Sequence, residues 1–181
     1  MKITVLGCGA MGSIYAALLA TAGHEVTAVD ANSDHVAAIN ANGLRVSGAS
    51  GDRTVNIKAQ TEVPLTPAEL LIIAVKGAHV ASASEKAFST IDANSLVLTI
   101  QNGLGCSDIV ADRLGPDRLI VGVAQGFGAS LPEPGHTHHS DMKAIRMGAY
   151  ATLNAGQVAL VSQLYTEAGF DAEPVADIQA M

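Results

Sequence analysis

The chain has 181 residues, with 10 Lys and Arg against 17 Asp and Glu, a formal net charge of −7 and only two cysteines. Its length suits one large domain able to bury a sizeable core. The acidic balance, without a basic tract, argues against a nucleic-acid partner. No apolar stretch runs the length of a membrane span without a Gly or polar break, and two cysteines in a chain of this size point to a reducing compartment, the cytoplasm.

The first element is a strand, Lys2 to Leu6, which runs straight into Gly7, Gly9 and Gly12. A secretion signal would begin in a similar way, but the glycines would break its apolar core. Leu6-Gly7-Cys8 mimics a lipoprotein cleavage site, yet too few residues precede the cysteine for a charged and an apolar region. In a G-x-G-x-x-G loop the three glycines have separate uses. Gly7 makes the turn, Gly9 lets backbone approach a pyrophosphate, and Gly12 lets the next helix pack on the strand. The context agrees: Ile14, Leu18 and Thr21/Ala22 recur at helical spacing, and Gly23 ends the helix.

A second strand, His24–Val29, closes on Asp30, 23 residues after Gly7. A carboxylate at that place accepts from both hydroxyls of an adenosine ribose and repels a 2′-phosphate. Ala31, Asn32 and Ser33 add no positive charge, so the reading is NAD in preference to NADP. The alternative is that Asp30 only caps a helix.

A helix capped by Asn32 or Ser33 runs to Asn42, with Val36 and Ile39 inward. Leu44–Ser47 and Thr54–Lys58 alternate as a hairpin. Glu69–Val75 and Ser95–Ile100 are continuous apolar runs, as in strands covered on both faces. Helices are expected at Ala78–Ile91, Ser107–Leu114 and Gly156–Ala168, and strands at Leu119–Ala124 and Ala172–Val175. His136–Ser140 and Lys143–Met147 read as an antiparallel pair after a Pro132–Gly135 turn. Strand and helix alternate throughout, so the expected fold is α/β. It is a Rossmann-like, doubly wound, mostly parallel sheet with helices on both faces, filling 1–181 as a dinucleotide-binding domain.

Ligands of such sheets sit at the carboxyl ends of the strands. Lys76 and Asn102 close two buried strands there. Lys76 would hold a phosphate or carboxylate or polarise a carbonyl, and Asn102 would bond a substrate hydroxyl or the nicotinamide amide. The plainer alternatives are a solvated lysine and a turn-forming Asn-Gly. His136 and His138 share one strand face, but two histidines without a nearby cysteine or paired acid make a poor metal site, and no metal is expected. Cys8 is a small residue beside the phosphates, and Cys106 a packed apolar one.

Taken together, KITVLGCGAMG, NGLRVSG, AVKGAHV, QNGLG and PGHTHHSDMKAIRMG, in this order, resemble the ketopantoate reductase (2-dehydropantoate 2-reductase) family. The likeness runs from residue 1 to about 180. It implies reduction of a 2-keto acid to a 2-hydroxy acid with a nicotinamide cofactor, in pantothenate biosynthesis. It implies that Gly7, Cys8, Gly9, Ala10, Met11 and Gly12 hold the pyrophosphate. It also implies that Lys76 lines the cofactor and substrate cleft, that Asn102 touches nicotinamide and substrate, and that Ala129 lies near the cofactor. Many relatives carry an arginine just after the second strand and use NADP, where this chain has Asp30-Ala31. The family's general-acid lysine belongs to a helical second domain, which would follow Asp177-Ile178-Gln179-Ala180-Met181. The 181 residues alone are therefore expected to bind dinucleotide, to turn over poorly, and to self-associate through the face that domain would cover. Rival readings are a dehydrogenase of another, mandelate-like 2-hydroxy acid and a dinucleotide-binding module without chemistry.

Overall fold

The computed structural model describes residues 1–101, 105–141 and 144–178. Two sheets share one helix between them. The chain enters through β1 (Lys2–Leu6), α1 (Ala10–Thr21), β2 (Glu25–Val29) and α2 (Ser33–Asn42). Asn32 caps α2 through its side chain, which accepts from the Asp34 and His35 N–H groups. Gly43, at φ +82°, ends it. Then follow β3 (Leu44–Gly48), β4 (Arg53–Val55), β5 (Lys58–Gln60) and β6 (Leu70–Ile73).

The second half runs through α3 (Val80–Ala87), β7 (Leu96–Thr99), α4 (Cys106–Leu114) and β8 (Leu119–Gln125). It ends with β9 (Gly128–Glu133), β10 (His136–Asp141), β11 (Ala144–Ala149), α5 (Ala155–Glu167) and β12 (Ala172–Pro174). The main sheet has the order β12-β11-β8-β7-β6-β1-β2-β5. Among the described residues its pairings are parallel except that of β11 with β8. The expected fold class is observed: a doubly wound α/β sheet with helices on both faces. β6 and β7, LLII and LVLT, are buried at every position because both faces are covered. The core accordingly splits into two clusters, one toward α1, α2 and α5, the other toward α3 and α4.

The second sheet, β4-β3-β10-β9, was not anticipated. It packs across α1, so α1 lies between two sheets. That is why Gly12 to Leu19 are buried without interruption, where a surface helix would show one apolar stripe.

Three expected elements change in consequence. Among the described residues His136–Ser140 does not pair with Ala144–Met147, Lys143 lying outside them: β10 joins β3 and β9, whereas β11 returns to β8 in the main sheet. Their burial explains the division. β11 buries both faces, with Ala144, Ile145, Met147 and Gly148 inside, whereas β10 buries Thr137 and His139 and leaves His136 and His138 half-exposed. The segment Thr54–Lys58 is split. Arg53–Val55 completes the hairpin with β3, and Lys58–Gln60 becomes the main-sheet edge beside β2. The helix expected over Ala78–Ile91 is regular α only from Val80 to Ala87, with 3-10 turns at Gly77–His79 and Phe88–Thr90. β9 takes in Pro132 and Glu133, where only a turn over Pro132–Gly135 is expected; GASLPE has weak strand propensity, and Pro132 is tolerated on a sheet edge.

No described helix is long and apolar enough to cross a membrane.

Candidate dinucleotide site

β1 lies between β2 and β6, and the chain leaves β1 toward β2 before crossing back to β6. At that reversal the connecting helices diverge and open a crevice above the strand ends. A cleft of about 740 Å³ sits there, lined by the glycine loop, by Val29–Asn32 after β2, by Ala74–Lys76 after β6 and by one face of α3.

The loop is built by its glycines in different ways. Gly7 has φ +93°, and a Cβ there would stand 2.6 Å from the Val75 backbone nitrogen. A Cβ on Gly12 would stand 2.1 Å from the Gly7 carbonyl oxygen. Both positions are closed to any side chain by the fold itself. Gly9 has ordinary φ of −71°, and nothing lies within 4 Å of a Cβ built on it. Neither packing nor backbone conformation requires glycine there; close approach of another molecule would.

The N–H groups sort in the same way. Those of Gly7 and Cys8 both donate to the Val29 carbonyl, at 2.9 and 3.0 Å, and tie the loop to the end of β2. The first intrahelical bond is Ser13 N–H to Gly9 O at 2.9 Å. The N–H groups of Ala10, Met11 and Gly12 precede it and have no helical partner. With the positive end of the α1 dipole they form an anion-binding end that opens on the cleft.

Asp30 lines the cleft beside Ala31 and Asn32. Its Oδ1 accepts from the Asn32 N–H at 2.9 Å, which holds the carboxylate at the end of β2 and leaves Oδ2 for a ligand. Lys76 lines the opposite wall, exposed, at the start of the 3-10 turn. Thus Gly7, Gly9, Ala10, Met11, Gly12, Asp30 and Lys76 come together. Cys8 does not face the cleft. Its side chain is fully buried, 3.5 Å from Ser13 Oγ, and burial pushes its thiol up to about 12, against a smaller lowering by Ser13. Ala129 lies on β9 in the second sheet, opposite His139, and is not among the cleft's lining residues. Asn102 lies outside the described residues.

Sequence reasoning passed over Thr61, Val63, His79, Ser82 and Lys86, which complete the walls. Of these only His79 and Lys86, spaced with Ala83 along one helical face, carried a signal. Among the described residues no three His, Cys, Asp or Glu side chains are grouped to hold a metal ion. His136 Nε2 and His138 Nδ1 both meet Ser47 Oγ, at 2.8 and 3.1 Å.

The family profile described as ketopantoate reductase PanE/ApbA matches residues 3–152. The chain belongs to this family. It is 30% identical over 181 residues to the 2-dehydropantoate 2-reductase of Halobacterium salinarum, covering 99% of this chain and 59% of that one. It is 32% identical over 178 residues to the 2-dehydropantoate 2-reductase of Pyrococcus horikoshii, covering 98% and 57%. A crystal structure of 2-dehydropantoate 2-reductase from Geobacter metallireducens superposes with a TM-score of 0.89 at 29% identity, over 97% of this chain and 58% of that one. The chain thus spans somewhat under three-fifths of the length of these ketopantoate reductases.

Proposed function

We propose that residues 1–181 are the dinucleotide-binding domain of an oxidoreductase that reduces 2-dehydropantoate, a 2-keto acid, to the 2-hydroxy acid pantoate. The carrying observation is the contrast among the glycines. Gly7 and Gly12 are explained by the fold, but Gly9 only by a ligand pressed against the loop. The donors at the start of α1 suit two phosphates, and the cleft has room for an extended ligand.

A bound reduced nicotinamide supplies hydride to the keto carbon. The residues of this chain bind and orient. The N–H groups of Gly9 to Gly12 hold the pyrophosphate, and Asp30 Oδ2 accepts from the ribose hydroxyls. Lys76 places a positive charge on the cleft wall where a substrate carboxylate or a polarised carbonyl oxygen gains from it. Asn102, by resemblance, orients substrate and nicotinamide amide. The substrate-closing part of the enzyme is assigned to the remaining two-fifths of the relatives' length.

The cofactor is NAD(H) in preference to NADP(H). Asp30 would face a 2′-phosphate with like charge, and Ala31 and Asn32 beside it in the cleft bring no cation. Fluorescence titration of the chain with NADH and NADPH tests this. NADH should bind the more tightly, and Asp30→Ala should narrow the gap. Tighter NADPH binding by the unaltered chain would leave Asp30 only its role in the Asn32 turn, and no binding of either would remove the dinucleotide reading.

A further inference from the structure

Behind the glycine loop, away from the cleft surface, runs a buried chain of hydrogen bonds. Ser13 and His35 are both wholly buried. The Gly135 N–H, in the turn between β9 and β10, donates to His35 Nδ1 at 2.9 Å. A backbone N–H can only donate, so Nδ1 is the acceptor and the ring hydrogen sits on Nε2. Nε2–H then meets Ser13 Oγ at 3.1 Å, and the Ser13 hydroxyl donates to the Cys8 carbonyl at 2.8 Å. The direction of every bond follows from the first. A second tie leaves the same sheet, where Thr137 Oγ1 donates to the Ala10 carbonyl at 2.8 Å.

The Cys8 carbonyl is the consequential end of this chain. The carbonyl and N–H of a trans peptide point in opposite directions. Drawing the Cys8 carbonyl inward to Ser13 therefore turns the Gly9 N–H outward, on the cleft side of the loop. Burial lowers the His35 pKa, against opposing pulls from Asp30 and from the Cys8 carbonyl, and favours the neutral ring. A protonated ring would set Nδ1–H against Gly135 N–H, donor to donor.

We infer that His35 is a positioning residue for dinucleotide binding: acting through Ser13, it aims the Gly9 N–H at the pyrophosphate, and the bond it accepts from Gly135 sets the tautomer that donates to Ser13. The inference rests on the proposal that the cleft takes a dinucleotide.

Two half-replacements separate this from a merely structural role. His35→Gln keeps a donor within reach of Ser13 but offers Gly135 no acceptor. His35→Asn keeps the acceptor for Gly135 but is too short for Ser13. Each loses one buried bond, so both melt earlier. A structural histidine predicts equal affinities. The positioning role predicts that His35→Asn raises the NADH dissociation constant about tenfold, in line with one buried hydrogen bond lost, while His35→Gln stays within about twofold. Ser13→Ala, which removes a single oxygen, should match His35→Asn and carries the test if the His35 variants do not fold. Amide exchange at Gly9 without ligand should be faster in His35→Asn and Ser13→Ala than in His35→Gln. Equal affinities for the Asn and Gln variants, or wild-type affinity in Ser13→Ala, overturn this inference alone. Failure of the unaltered chain to bind NADH or NADPH overturns the dinucleotide reading and this inference with it.

Discussion

The two sheets treat the same loop from opposite sides. The main sheet delivers its residues at strand ends: Gly7 after β1, Asp30 after β2 and Lys76 after β6 all reach the cleft. The second sheet contributes no residue to that cleft, and it holds the loop from behind through Gly135 and Thr137. In a doubly wound fold the ligand surface is a by-product of topology, because strand ends meet where the winding reverses. Its precision is a separate matter. An anion-binding helix end needs its N–H groups fixed in direction, and here Ser13 of α1 and His35 of α2 do this at the Cys8 carbonyl while Thr137 of the second sheet holds the Ala10 carbonyl.

The comparison is most easily broken within the loop. Gly12→Ala should be the most damaging change, because its Cβ would stand 2.1 Å from a backbone oxygen that cannot swing aside. The loss of stability should be about 3 kcal/mol or more, at the upper end of overpacking costs, and dinucleotide binding should go with it. Gly9→Ala is the complement. With open space around the new methyl and no positive φ, the melting temperature should hold while the NADH dissociation constant rises at least about tenfold, the loss of roughly one good contact. Thermal unfolding and fluorescence titration on both variants check the pair. A Gly9→Ala chain that binds normally would remove the argument that this glycine exists for a ligand.

Much of the first sheet was legible in the sequence; of the second, the β3–β4 hairpin and the strand at His136–Ser140 were legible singly, but not β9 or the pairing that joins them. Continuous apolar runs such as ELLIIAV announce a doubly covered strand, and a glycine loop between strand and helix announces its own turn. The way the second sheet assembles carries no such signal. GASLPE and HTHHSD are polar or small-residue strands whose pairing is long-range, as in β10 with β3, and local pattern cannot distinguish that from a hairpin with the next segment. The positioning residues were hidden for a related reason. Ser13 and His35 sit at ordinary places in helices, and only the register of α2 against α1 and the Gly135 turn brings them into one chain of bonds.

Buried histidines in both regions should make the fold sensitive to pH. Burial lowers the pKa of His35 and His139, and that of His24 at the far end of α1. When a folded-state pKa lies below the unfolded value, the unfolded chain takes up protons first as pH falls. The stability these neutral histidines carry is present above the ordinary histidine value of 6.5 and is lost as pH drops below it toward their folded values. Urea unfolding at about pH 7.5 and 5.5 should show the lower pH as the less stable. His139→Gln should reduce the difference, because Nδ1 of His139 meets Ser50 Oγ at 2.7 Å in the second sheet and Gln carries no titrating group. An unchanged midpoint across that range would mean that water or local opening relieves these rings.

The smallest effect should come from the most conspicuous ion pair of the second sheet. Arg45 forks onto Asp52, with Nε to Oδ1 at 3.1 Å and Nη2 to Oδ2 at 2.7 Å. Both side chains are about half exposed, so water already solvates what the pair would otherwise stabilise, and salt screens the rest. Arg45 lies on β3 opposite His136, and its tie to the Gly135 turn is a backbone one, its N–H donating to the Gly135 carbonyl at 2.9 Å, which survives loss of the side chain. Arg45→Ala should therefore leave both the melting temperature and NADH affinity at their original values. A measurable fall in affinity would show that the whole second sheet acts as one rigid support for the loop. No change would confine the support to β10 and the turn before it, where the buried bonds are.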